Sequence, residues 1–323
     1  MTPGGLREVF LGAAALVLSS CAQSDPAPEQ QVQCPVSLLV LGVAQDAGKP
    51  QIANPDDPAW SDPSLRRLAT ALALVDRRED QTRRWLFEAT PDIKEQLQKL
   101  DEAAPVEKSI QLDGVFITHA HIGHYTGLMM LGHEAAGAQN VPVYAMPRMG
   151  DYLTQNGPWS QLVRYYNIVI AIMSADEPEQ IAADISVTPF LVPHRQEFSE
   201  VAGFRISGPE NSVLFIPDID SWEEWDAAGT RIEDMIASVD TAYLDGSFYA
   251  NGEIPGRDMS GFPHPFVSHS MERFAPLPRE EKAKIRFIHM NHTNPLHGPN
   301  APERKTVQNA GFNIAEEGEV LCL

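Results

Sequence analysis

Short apolar runs alternate with polar, turn-rich segments along most of the chain. "VSLLVLGVA" (36–44) is almost continuously apolar and is followed by "QDAGKPQ", a pattern that predicts a buried strand leading into a loop. "LATALALVD" (68–76) and "RRWLFEAT" (83–90) flank the polar "RREDQT" and read as a hairpin or adjacent strands. "IKEQLQKLDEA" (93–103) has apolar residues at 93, 97 and 100, a helical spacing. "DGVFITHAH" (113–121) reads as a strand, "YTGLMMLGHEAAGA" (125–138) as a helix and "VPVYAMP" (141–147) as a strand. Residues 151–180 read as helix with a short strand. "ISVTPFLVPH" (185–194) and "GFRISGPENSVLFIPDID" (203–220) predict strands, the second interrupted by a turn at "GPEN". "TAYLDGSFY" (241–249) is a short strand ending at Asp245. "SMERFAPLPREEKAKI" (270–285) contains a helix, and "RFIHMNHTNP" (286–295) is a last strand and loop. Strands and helices alternate with no short repeat, which predicts an α/β fold in one domain.

The N-terminus departs from this pattern. "VFLGAAALVLSSC" (9–21) is too short to span a bilayer and has the shape of a signal-peptide core. "LSSC" resembles a bacterial lipoprotein box, so 1–21 is expected to be a signal peptide with Cys21 as the lipidated residue. Residues 22–33, "AQSDPAPEQQVQ", read as a flexible tether, leaving 34–323 as the single domain. The expectation is an exported, lipid-anchored protein of the cell envelope or periplasm.

Composition narrows the partners. The chain of 323 residues carries 24 Lys+Arg against 44 Asp+Glu, a formal charge of −20. Such a surface argues against nucleic acid and against an anionic membrane, so the membrane enters only through an anchor at Cys21. A small-molecule substrate is expected, with a homodimer as a candidate assembly that nothing in the sequence shows. The three cysteines, 21, 34 and 322, form no CxxC pair, which disfavours a zinc ribbon. Cys34 and Cys322 lie near the two ends of the domain; two unpaired thiols are favoured over a disulfide between them.

The chemistry gathers at "THAHIGHYTGL" (118–128), where His119, His121 and His124 fall within six positions. Alternate side chains of an extended segment point the same way, so His119 and His121 can face one point. A turn into a helix brings His124 to the same centre, and three imidazoles with a carboxylate or water suit zinc or a similar metal. Other apolar strands end in a histidine or an acid: His194, Asp218, Asp245 and His289.

Together these segments resemble the metallo-β-lactamase fold across nearly all of 34–323. "THAHIGH" is similar to that family's HxHxDH motif. "VPHRQEFSEVAGFRI", "LFIPDID" and "IHMNHTNP" resemble the segments that carry its later ligands, here His194, Asp218 and His289. "LGVAQDAGKPQ" and "HMNHTNP" look most like the pyrroloquinoline quinone biosynthesis protein B-like branch. The resemblance implies an αββα four-layer sandwich with one or two divalent ions at a sheet edge, zinc first and Mn2+ or Fe2+ as alternatives. One ion would take His119, His121 and His194, a second would take His124 and His289, and Asp218 would bridge them. The implied activity is hydrolysis of an ester, lactone, lactam or phosphodiester by a metal-bound hydroxide. Two other readings stand beside it: a role in pyrroloquinoline quinone production or handling, with oxidative chemistry open beside hydrolytic, and a non-catalytic binding protein with a modified metal site.

The chain departs from the motif at Gly123, where the family has an aspartate that serves the second metal. Asp46, in the loop after the first strand, is a candidate replacement and a seventh candidate ligand. His264 and His292 are candidate proton donors to a leaving group, His264 first. Asp220 and Asp245 are candidates to support the ligands, although Asp220 reads first as a helix N-cap ahead of "SWEEW". His133 reads as structural.

Overall fold

The computed structural model describes residues 1, 2, 4, 34–107 and 110–323. The expected leader core and lipobox at 9–21 and the tether at 22–33 lie outside the described residues. The apolar run near residue 40 forms strand β1 (Val36–Gly42), buried at every position. Leu38 and Val40 join one apolar cluster, while Leu39 and Leu41 join another. A strand whose two faces are both covered needs this continuous apolar run rather than alternation.

β1 is followed by β2 (Ala71–Asp76), β3 (Arg83–Phe87), β4 (Gly114–Phe116), β5 (Val141–Ala145) and β6 (Ile168–Ile172), side by side in chain order. A second sheet holds β7 (Glu179–Ala182), β8 (Ile185–Leu191), β9 (Ala202–Ser207), β10 (Ser212–Ile216), β11 (Thr241–Asp245), β12 (Ile285–Ile288) and β13 (Asn313–Ile314). β14 (Val320–Cys322) returns to the first sheet beside β1. Helices Ile93–Ala103, Pro147–Gln155 and Trp159–Arg164 pack on the first sheet through Leu97, Leu100, Met149, Leu153 and Leu162. Helices Trp222–Ala227, Ile232–Ala237 and Val267–Phe274 pack on the second. The result is the αββα sandwich. Between the sheets, Phe87 stacks on Phe116 at 4.9 Å, and Phe204 meets both edge-on at 5.8 and 5.7 Å.

Strand direction decides where the polar residues gather. β1 and β3 are each antiparallel to β2, and β3 to β6 are parallel, so β1, β3 and β4 run one way. In the second sheet β8, β10, β11 and β12 likewise share one direction. Their C-terminal ends meet at one edge of the sandwich. A parallel bridge between Ala44 and Met290 and a bond from Ala202 N to Thr118 O (3.1 Å) tie the two sheets there.

Several expectations change. Residues 125–138 are not one helix. A short turn of helix, Ile122–Tyr125, passes into a 3-10 segment, Thr126–Leu131, and then turns. Gly127 N donates to Ala89 O at 2.8 Å, outside any helical ladder, and a Cβ at Gly127 would lie 2.1 Å from Thr90 O. The segment is pinned against the end of β3. β4 is only three residues long, and 117–121 continues as extended loop. β12 is not the last strand, since β13 and β14 follow it. Cys34 and Cys322 are not free thiols: they form a disulfide, with Cα atoms 5.3 Å apart. Pairing of β14 with β1, Ser37 opposite Cys322, brings the two ends together.

Candidate metal centre

Each candidate ligand follows the end of a strand of common direction: Asp46 after β1, His119 to His124 after β4, His194 after β8, Asp218 after β10, His289 after β12. An apolar strand buries itself between layers, and the first polar residue beyond it emerges at the edge. His119, His121 and His194 present ligand atoms within 4.8 Å of one another, as do Asp46, His124 and His289, and His119, His124 and Asp218. Asp218 lies between the first two groups. Its Oδ2 is 2.9 Å from His124 Nε2 and 3.6 Å from both His119 Nε2 and His289 Nε2. Its Oδ1 is 3.9 Å from His194 Nε2.

The histidines are oriented from outside. His119 Nδ1 meets Thr118 Oγ1 at 2.9 Å, and that hydroxyl donates to Glu88 Oε1 at 2.5 Å. His124 Nδ1 meets the same Glu88 oxygen at 3.2 Å. His194 Nδ1 is held by Asp220 at 2.6 Å, His289 Nδ1 by Ser247 Oγ at 3.1 Å, and His121 Nε2 by Glu197 at 3.1 Å. With each outer nitrogen occupied, the inner nitrogens converge. His119 Nε2 and His194 Nε2 lie 2.8 and 3.2 Å from His121 Nδ1. The edges of a tetrahedron with metal–nitrogen bonds of zinc length are about 3.4 Å, which these separations and those to Asp218 bracket. His289 Nε2 is buried with no hydrogen-bond partner, and His124 Nε2 approaches Asp218 without hydrogen-bond alignment. Buried acceptor nitrogens aimed at one another, with their outer atoms fixed by acids and hydroxyls, form a donor set that fits a divalent metal.

Electrostatics follow from burial and crowding. Burial first, then its neighbour His124, holds His119 well below the usual imidazole range. Burial also lowers His121 and His289, partly offset by Glu197 and Asp218 respectively. Burial alone would lower His124, but Glu88 and Asp218 raise it well above that range. Burial would raise Asp218, yet His289, His124 and His194 hold it well below ordinary carboxylates.

His264 joins this group. Its Nδ1 lies 2.8 Å from Asp245 Oδ2 and 3.6 Å from Asp218 Oδ1. Burial opposes the charge, but Asp245 and Asp218 raise the imidazole to about 9. Asp218, Asp245 and His264 form a further compact triplet. Both Asp245 oxygens are already engaged, by Ser247 N at 2.9 Å and Ile219 N at 3.1 Å. Asp245 therefore braces His264 and the turn after β10. His292 is elsewhere: its Nδ1 meets Asn54 at 3.2 Å, and it joins none of the ligand groups. Asp220 is not the helix cap. Ser221 takes that role, accepting from Glu224 N, and Asp220 is left to hold His194. His133 packs on Tyr165, away from the centre. Glu88, Thr118 and Ser247 escaped the sequence reading, although Glu88 ends an apolar strand just as Asp218 does.

An open cavity of about 270 Å³ lies over the centre, lined by Gln45, Asp46, Tyr125, Arg195, Phe198 and His264 among others. Among the described residues, Arg195 is the one Lys or Arg in its lining.

A family model described as "Beta-lactamase superfamily domain" matches residues 83–290. The chain is 24% identical to the coenzyme PQQ synthesis protein B of Xanthomonas axonopodis pv. citri over 316 residues, covering 88% of this chain and 99% of that one. It is 24% identical to the same-named protein of Gluconobacter oxydans, covering 88% and 97%. Among solved structures it is similar to Zn2+-bound PqqB from Methylobacterium extorquens, with TM-score 0.72, 22% identity, and coverage of 89% and 100%. It is also similar to a diphosphatase of the PhnP family, with TM-score 0.60, 22% identity, and coverage of 89% and 98%. The expected export and lipid anchoring are corrected by these findings. The relatives that match most of the chain are named for synthesis of a coenzyme. With its αββα architecture and the match over residues 83–290, the chain belongs to the beta-lactamase superfamily, in the metallo-β-lactamase fold.

Proposed function

We propose that the chain is a metal-dependent hydrolase of a compact ester, lactone, lactam or phosphodiester. The observation that carries this reading is the cluster of five inward-facing imidazoles, each with its outer nitrogen engaged and four of them, His119, His124, His194 and His289, within 3.9 Å of Asp218. His119, His121 and His194 would hold one ion, His124 and His289 would contribute to a second, and Asp218 would face both. Divalent ions held there supply Lewis-acid polarisation of the scissile bond and of a water. His264, kept protonated by Asp245, is placed to give a proton to the leaving group. Arg195 gives the cavity a positive side suited to an anionic group, and Phe198 gives it an apolar one.

The test is to count bound metal by elemental analysis and to assay ester, lactone, lactam and phosphodiester panels with and without chelator. The expected result is bound divalent metal and turnover that chelator abolishes and added metal restores. Metal-free protein from metal-replete medium would refute the proposal. A second reading, a role in pyrroloquinoline quinone synthesis, is favoured by the similarity over 88% of the chain to proteins named for it. Complementation of a strain lacking its own synthesis protein B tests that alternative.

A further inference from the structure

Residue 123 lies between two histidines of the metal loop, and a carboxylate there would enter the centre beside His124. Gly123 is buried, and the space its side chain would fill is already taken. A Cβ on residue 123 would lie 2.5 Å from Asp46 Cα, 2.5 Å from Asp46 Oδ1 and 3.2 Å from Asp46 Cβ. Asp46 comes from a different strand end, the one after β1. Its Oδ1 is 3.8 Å from His124 Nε2, and Asp46, His124 and His289 present ligand atoms within 4.8 Å of one another.

The backbone supports the same placement. Asp46 has φ +39° and His289 has φ +63°, the left-handed region that non-glycine residues seldom adopt. Such conformations persist only where surrounding contacts impose them. Here the two residues are fastened to each other's loops. Gln45 N donates to Met290 O at 2.8 Å, Met290 N donates to Val43 O at 2.9 Å, and Asn291 Nδ2 donates to Gln45 Oε1 at 2.6 Å. The end of β1 and the end of β12 thus present Asp46 and His289 as one rigid pair. The inner nitrogen of His289 and that of His124, 3.8 Å from Asp46 Oδ1, are both buried and without hydrogen bonds.

We infer that Asp46 supplies the carboxylate of the second metal subsite, in place of one on residue 123, and that Gly123 is the space that admits it. The inference rests on the metal-dependent reading above and adds the composition of one subsite to it.

The test uses the full chain, stripped with chelator and reloaded with Zn2+. Bound zinc is counted by elemental analysis, and affinities are read by competition with a chromogenic chelator. The wild-type chain is expected to bind two ions in two steps. Asp46→Gly, which relieves the positive φ, and Asp46→Asn, which keeps the shape, should each lose or weaken the second step by at least about tenfold and leave the first intact. Gly123→Ala should weaken the same step, because its Cβ displaces Asp46. Thermal unfolding of the metal-free Asp46→Asn chain should match the metal-free wild type, separating ligand loss from misfolding, whereas Gly123→Ala, whose Cβ meets the Asp46 backbone, is expected to unfold at a lower temperature. Asp46 variants that keep both steps unchanged, or a wild-type chain with a single step, would overturn the inference and leave the hydrolase reading standing. A wild-type chain that binds no zinc would instead overturn the hydrolase reading.

Discussion

Glu88 follows the last residue of β3 with no exposed surface and φ +77°. One of its oxygens serves both Thr118, and through it His119, and His124. It therefore sets the rings of one ligand in each proposed subsite from a single buried carboxylate. Glu88→Gln keeps the size but replaces one acceptor with a donor facing buried groups. The expected outcome is a loss of zinc affinity of about 10–100-fold, read by chelator competition, in a chain that still folds. Other ligand supports divide the work differently: Asp220 braces only His194, and Ser247 braces His289 while also touching His264. What is legible at this scale is the local spacing of His119, His121 and His124 and the acids that close apolar runs. Glu88 obeys the same rule in "LFEAT" but is followed by no histidine, so nothing in its neighbourhood marked it. Asp220 was misread because Ser221 beside it is an equally good cap.

At the scale of elements, the strands that carry the site were visible because burial on both faces demands long apolar runs, as in β1, β10 and β11. The short edge strands β7, β13 and β14 have too few residues to show a pattern. The segment after His124 failed as a helix for a tertiary reason, the close approach of Gly127 to the end of β3, which no periodicity encodes. The loop after β12 is built with similar economy. His297 folds back so that its Nε2–H donates to the carbonyls of Met290 (3.2 Å) and Asn291 (3.0 Å), while its Nδ1 is buried without a partner. Burial, with Lys49 nearby, lowers this imidazole to about 4. The folded form thus resists a proton that the unfolded chain accepts near 6.5. Its contribution is present above pH 6.5 and is lost as pH falls toward 4, by about 2 kcal/mol at pH 5. Denaturant unfolding of wild type and His297→Gln at pH 7.5 and pH 5 should show a smaller loss on acidification in the variant.

For the whole molecule, the disulfide joins the first residue of the fold to the last strand, with a sequence separation of 288. Closing so long a loop restricts the unfolded chain strongly, so Cys34→Ser should lower unfolding free energy by on the order of 3–5 kcal/mol, read from denaturant midpoints. The sequence placed both cysteines at the domain ends but favoured two unpaired thiols, because only the return of β14 to β1 sets their distance. The same bond changes what a break in the chain means. Between Cys34 and Cys322 the polypeptide is a closed ring, so one cut in a surface turn such as 208–211 opens the ring without releasing a piece. Nicked protein would migrate as a single covalent species until reduced, and two fragments would part only when a thiol is added.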